Sequence, residues 1–215
     1  MQRHDLVFVS PTAWRSMLKT RADLAGNQLV ARWADNGWPL VGRRPLLGEA
    51  RGVTLGLPLP PFAGKRRLSF VMQPEDVISI AKPPALRIAS RVAPRAWRST
   101  LDSLAEVASL HAVEASVFGS LAWRALTGLD YLTDQSDLDV LFYIDRETDL
   151  YNLTADIAVV DAIAPMRIDG ELMRSNGVAV NWRELHAGAH EILVKTTGGV
   201  AVFDTDLFRL GRIPS

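Results

Sequence analysis

Residues 118–142 read FGSLAWRALTGLDYLTDQSDLDVLF, and the fold turns on them. The apolar run Val113–Phe118 reads as a strand. Gly119-Ser120 then opens a short helix through Leu126, which Gly128 stops. Leu138–Ile144 is the strongest strand in the chain. Val140, Phe142 and Ile144 on one face, with Leu141 and Tyr143 on the other, mark a central strand buried on both sides. Asp137 and Asp139 stand two apart at its start, so their side chains share one face.

Two adjacent carboxylates repel each other and call for a cation. Oxygen ligands of this kind suit Mg²⁺, which takes one or two carboxylates plus substrate phosphates. Glycine at position 119 lets a ligand approach the backbone, and the helix start offers unpaired N–H groups and a positive dipole end. Ser120 reads either as a phosphate contact or as a plain helix cap. A third carboxylate is expected on a neighbouring strand, and MRIDGEL supplies Asp169 and Glu171 on one face. Asp169 is preferred, because a short side chain on a rigid strand fixes a metal best; Glu171 is the alternative. A lone Asp-x-Asp is often only a solvated turn end. The combination with Gly-Ser and a later acidic strand is more specific.

Working outward, Pro94 begins a helix through residue 111, on which Trp97, Leu101, Leu104 and Ala108 recur at helical spacing. Leu150, Leu153, Ile157 and Val160 give another. Met166–Leu172 and Val178–Trp182 are strands joined over Asn176-Gly177, and Ile192–Thr196 and Val200–Phe203 pair over Gly198-Gly199. The expected class is α+β, with a mixed sheet and helices packed on it. Upstream, ten of the twelve prolines fall in residues 1–100, so short strands and few long helices are expected there. Leu6–Val9, Leu40–Val41, Val53–Leu57 and Leu68–Met72 read as strands, and Thr12–Lys19 and Leu29–Asn36 as short helices. Lys82–Val92 reads as loop with room for one strand. The expected domains are a basic lobe over residues 1–92 and a catalytic domain over 93–215.

The 215 residues carry 24 basic and 24 acidic side chains, but not evenly. Residues 1–100 hold 16 Lys+Arg against 6 Asp+Glu, and the remainder holds 8 against 18. Thirteen of those sixteen cations are arginine, whose planar fork suits phosphate. Arg43-Arg44 and Lys65-Arg66-Arg67 flank glycine and proline loops and are candidate contacts for phosphate or an acidic protein. Mutual attraction between the two halves explains the asymmetry equally well. With no cysteine, thiolate metal sites, disulfides and cysteine nucleophiles are excluded. No stretch reaches the roughly 20 apolar residues that cross a bilayer, so a cytoplasmic protein without membrane contact is expected. Balanced charge and the acidic second half argue against nucleic acid. Gly56–Lys65 fails the P-loop spacing, HAGAH at 186–190 lacks the glutamate of a zinc protease, and no G-x-S-x-G elbow occurs. The six tryptophans are read as core.

The Gly-Ser and Asp-x-Asp unit with a later acid resembles the nucleotidyltransferase superfamily. Together with RHDLVFVSP, GWPLVGRRP, LGLPLPPFAGKRR and RIDGEL, it resembles more narrowly the phosphoribosyl-dephospho-CoA transferases of malonate decarboxylase systems, or holo-acyl-carrier-protein synthases. This resemblance spans nearly the whole chain. The 16 residues between Ser120 and Asp137 exceed the usual gap of the wider superfamily. The resemblance implies a nucleotidyltransferase-type sheet with a smaller basic lobe. It implies transfer of phosphoribosyl-dephospho-CoA from triphosphoribosyl-dephospho-CoA to a serine of the apo acyl-carrier subunit, with loss of pyrophosphate. Asp137 and Asp139 would hold Mg²⁺, with Gly119 and Ser120 at the phosphates; by the chemistry of the step, Asp169, the expected third ligand, is the candidate to take the serine proton. Two other readings compete: a Mg²⁺-dependent enzyme using a nucleoside triphosphate, and a non-catalytic binding module.

Overall fold

A computed structural model describes residues 2–46, 48–196 and 198–212. The chain divides into two compact units, Met1–Pro83 and Pro84–Ser215.

The first unit runs β1 (Leu6–Val9), α1 (Pro11–Leu18), α2 (Gln28–Ala31), β2 (Leu40–Gly42), β3 (Val53–Pro58), β4 (Arg67–Met72) and β5 (Val77–Ala81). Its strands form one antiparallel sheet in the order β4-β3-β2-β1-β5. Ser10 caps α1 by accepting from the Ala13 N–H, and Pro11 takes the first helical position, where its missing N–H costs nothing. Two of the three tryptophans here are core: Trp14 and Trp33 are fully buried and donate their ring N–H to the carbonyls of Val30 and Pro39, whereas Trp38 is half-buried. The helix expected over Leu29–Asn36 is a single turn, α2, and β5 was not anticipated.

The second unit runs α3 (Leu86–Ala89), α4 (Arg98–Leu110), β6 (Glu114–Val117), α5 (Gly119–Thr127), β7 (Leu138–Ile144) and α6 (Leu150–Ile163). It continues with β8 (Ile168–Arg174), β9 (Ala179–Asn181), α7 (Trp182–His186), β10 (Glu191–Lys195), β11 (Val200–Asp204) and α8 (Thr205–Arg209). The sheet order is β11-β10-β9-β8-β7-β6; β7 and β8 are parallel and every other pair antiparallel, the mixed sheet expected of an α+β fold. The boundary falls earlier than residue 92. Segment 84–92 is helical rather than looped, with Leu86 and Ala89 buried in the second core and the Val117 N–H bonded to the Pro84 carbonyl.

The two faces of this sheet differ. Leu138, Val140, Phe142, Ile168, Leu172, Val180 and Val194 line one face and pack with Leu101 and Leu104 of α4, Leu121 of α5, Leu153 and Ile157 of α6 and Trp182 of α7. Asp139, Leu141 and Tyr143 of β7 alternate onto the other face, joined through the register by Asp169, Glu171 and Met173 of β8. Among the described residues a small apolar cluster, Leu141, Met173 and Ala179 with Phe118 and Tyr143 against it, backs that side.

Gly170 separates the two acids of β8 and points into the helix-covered core. A Cβ there would stand 2.7 Å from Cδ1 of Trp182, whose ring is 1% exposed and donates to the Ile168 carbonyl at 3.2 Å. The ring has nowhere to go. Gly170→Ala is expected to cost about 1–3 kcal/mol of stability, read as a lowered midpoint in denaturant titration.

Candidate active site

The structure brings Gly119, Ser120, Asp137, Asp139 and Asp169 to one end of the second sheet. Asp139 pairs with Asp169 in the parallel register, and Asp137 immediately precedes β7. Gly119 has φ +60, and Phe118, the residue before α5, supplies no side-chain cap. Asp139 fills that role, accepting a hydrogen bond from the Ser120 backbone N–H. A carboxylate at a helix N-terminus is favoured by both the free N–H groups and the dipole. Ser120 is therefore not the cap; it lies inside the helix. A Cβ on Gly119 would come within 2.6 Å of Asp139 Cγ and closer still to Oδ2. The glycine is needed because the Asp139 carboxylate lies against it.

Burial pushes the Asp139 carboxyl up to about 7. The charges of Asp169 and Asp137 push the same way, and Glu171 adds a smaller push, while the Ser120 N–H opposes them. A buried carboxyl set among other acids is what a hard divalent cation relieves, and an all-oxygen donor set is the kind that Mg²⁺ takes. Among the described residues no group of three or more His, Asp or Glu side chains is placed to hold a metal ion by itself.

Two residues outside the sequence reading complete the site. Asn181 donates from Nδ2 to Asp169 Oδ1 at 2.8 Å, and Lys195 donates to Glu171 Oε1 at 2.6 Å. Glu171 is 2% exposed, so its charge requires a partner. That requirement was the one available signal for Lys195. Asn181 carried none, because its link to Asp169 depends on pairing between β8 and β9.

The basic candidates belong to the first unit. Arg43 is committed internally: it forms a two-pronged ion pair with Glu49 and donates to the carbonyls of Leu55 and Arg44. The guanidinium holds the Glu49 carboxyl down to about 2. Arg44 is half-buried, whereas Lys65, Arg66 and Arg67 are exposed where β3 turns into β4. That turn is pinned by the Leu59 N–H on the Arg66 carbonyl at 2.7 Å, and Lys65 sits at φ +50.

The second unit matches the family model described as phosphoribosyl-dephospho-CoA transferase MdcG C-terminal domain over residues 85–206. The first matches the N-terminal domain of the same family over residues 2–83. These limits follow the two compact units. The phosphoribosyl-dephospho-CoA transferase of Bradyrhizobium diazoefficiens is 54% identical over 99% of this chain and 94% of its own length. Those of Xanthomonas euvesicatoria and Xanthomonas campestris are 36% and 33% identical, over 90% and 92% of this chain and 90% and 91% of their own lengths. No solved structure gives a significant match. With both units matched in order and a relative 54% identical over nearly the whole chain, this chain belongs to the phosphoribosyl-dephospho-CoA transferase family and is a transferase.

Proposed function

We propose that the chain transfers the phosphoribosyl-dephospho-CoA group from 2′-(5″-triphosphoribosyl)-3′-dephospho-CoA to a serine of the apo acyl-carrier subunit of malonate decarboxylase. The observation that carries this reading is the crowding of Asp137, Asp139 and Asp169 at the start of α5, where Asp139 is driven up to about 7. Such a cluster serves a reaction between a polyanion and a neutral hydroxyl. Asp137, Asp139 and Asp169 would hold Mg²⁺, and the backbone at Gly119 and Ser120 would face the phosphates. The metal, when bound, offsets the triphosphate charge and stabilises the departing pyrophosphate. The serine oxygen attacks the α-phosphorus in line, the bond from that phosphorus to the bridging oxygen breaks, and pyrophosphate leaves with the electron pair. Asp169 takes the hydroxyl proton.

The first unit binds substrate and carrier. Arg44, Lys65, Arg66 and Arg67 are its contacts to phosphate or to the carrier protein, and Arg43 braces the segment that presents Arg44. The exposure of the 65–67 turn supports this reading, as does the excess of arginine over lysine. The reaction runs in the cytoplasm without nucleic acid or membrane; among the described residues no helix is long and apolar enough to cross one.

Intact-mass spectrometry of the apo carrier tests the proposal. The carrier is incubated with this protein, Mg²⁺ and the triphosphoribosyl donor, beside an Asp139→Asn control. A mass gain equal to the prosthetic group, absent in the control and absent without Mg²⁺, is expected. No gain on a carrier that another synthase can modify overturns the donor–acceptor assignment. Modification from a nucleoside triphosphate instead would move the protein to the wider class of nucleotidyltransferases.

A further inference from the structure

Asp169 and Glu171 share one face of β8, yet they meet different partners. Asp169 is half-buried and receives a neutral donor, the Asn181 amide, on Oδ1. Glu171 is buried and receives a cation, the Lys195 ammonium, at 2.6 Å. The Lys195 side chain is 35% exposed and that of Glu171 only 3%, so the pair closes the inner acid from the side of β10. Asn181 has a second bond: its Oδ1 accepts from the Arg183 N–H at 2.9 Å and caps α7. One side chain thus joins a helix start to a site carboxylate, and its amide cannot turn over without losing both bonds.

We propose that Asn181 is a positioning residue for Asp169, and that Lys195, by taking Glu171, leaves Asp169 as the acid of β8 that faces Asp139. The inference rests on the metal-site reading above and adds to it a division of labour between two acids of one strand. A carboxylate held on one oxygen by an amide keeps its charge and its second oxygen, with the plane of the group set. A carboxylate held by an ammonium in a buried setting is neutralised where it stands. Reversing the partners would reverse the tasks.

Mn²⁺ binding, followed by electron paramagnetic resonance on the full chain without donor, tests this apart from turnover. Asn181→Ser keeps a capping oxygen for α7 but cannot reach Asp169. It is expected to weaken Mn²⁺ binding about 10–100-fold and to lower kcat while KM for the donor stays near its original value. Asn181→Gln, which retains the amide, should recover part of both. The double variant Glu171→Gln, Lys195→Met removes the buried charge together with its partner and so avoids an uncompensated ion. It should bind Mn²⁺ within about fivefold of the unaltered protein, against a far larger loss in Asp169→Asn. Unchanged Mn²⁺ affinity in Asn181→Ser overturns the positioning role. Equal losses in the double variant and in Asp169→Asn overturn the division of labour. Failure of the unaltered protein to bind Mn²⁺, with donor or without, overturns the metal-site reading and this inference with it.

Discussion

Asp139→Asn is expected to cut transfer sharply and to raise the melting temperature at pH 8. The loss of activity, roughly 10³-fold, follows from removing a charge where the phosphate chemistry needs it most. The gain in stability follows from the same burial. The Asp139 carboxyl sits at about 7 in the folded protein against an ordinary value of 3.8. Between those values the unfolded chain has released the proton and the folded chain still holds it, so stability falls as the pH rises through that window. Above pH 7 the cost is complete, on the order of 4 kcal/mol at 1.36 kcal/mol per pKa unit. Asparagine removes that cost and still accepts from the Ser120 N–H. The variant should therefore melt several degrees higher at pH 8, with the difference shrinking on acidification and gone near pH 4. Calorimetry across that range checks it. A variant that is inactive and less stable at pH 8 contradicts the account.

Gly119→Ala should inactivate the protein nearly as fully, by a different route. Its backbone is left-handed, at φ +60, and the new methyl would fall on the Asp139 carboxylate. The backbone alone costs about 1–3 kcal/mol. The larger effect is displacement: Asp139 must swing away from the start of α5, and a shift of about 1 Å in such a group costs roughly 10²-fold in rate. Gly128→Ala is the internal control. Gly128 is also left-handed, at φ +73, but nothing lies within 4 Å of its added Cβ. That variant should lose stability and keep its activity. Comparing kcat and melting temperature for the two separates backbone strain from the collision.

These outcomes also show which parts of the molecule were legible in advance. Leu138–Ile144 was read with both ends correct, because a two-sided apolar strand headed by acids has few alternatives. The stop of α5 at Gly128 and the hairpins over Asn176-Gly177 and Gly198-Gly199 were equally plain, since each depends on turn residues acting locally. What escaped was short or non-local. Helices α7 and α8 have five residues each, too few to show a period. Segment 84–92 looked irregular because its helix is a single turn; packing of Leu86 and Ala89 into the second core holds it. In the site, alternation put Asp137 with Asp139 on one face and Asp169 with Glu171 on one face of a later strand, and the preference for Asp169 rested on its shorter side chain alone. The partners that separate those two acids, Asn181 and Lys195, lie on strands whose register no local pattern announces.

The parallel pairing of β7 with β8 has one more consequence, for how the chain folds. These strands are joined through α6, so their contact closes a long crossover, and such pairings form late. Their register places Asp139 beside Asp169 and Val140 beside Gly170. A slip of one residue would drive Asp169 and Glu171 into the helix-covered core and turn Leu172 outward. The energy of that exchange is prohibitive, so the hydrophobic core acts as the proofreader of the acidic cluster. A chain that has closed this crossover has already aligned its carboxylates.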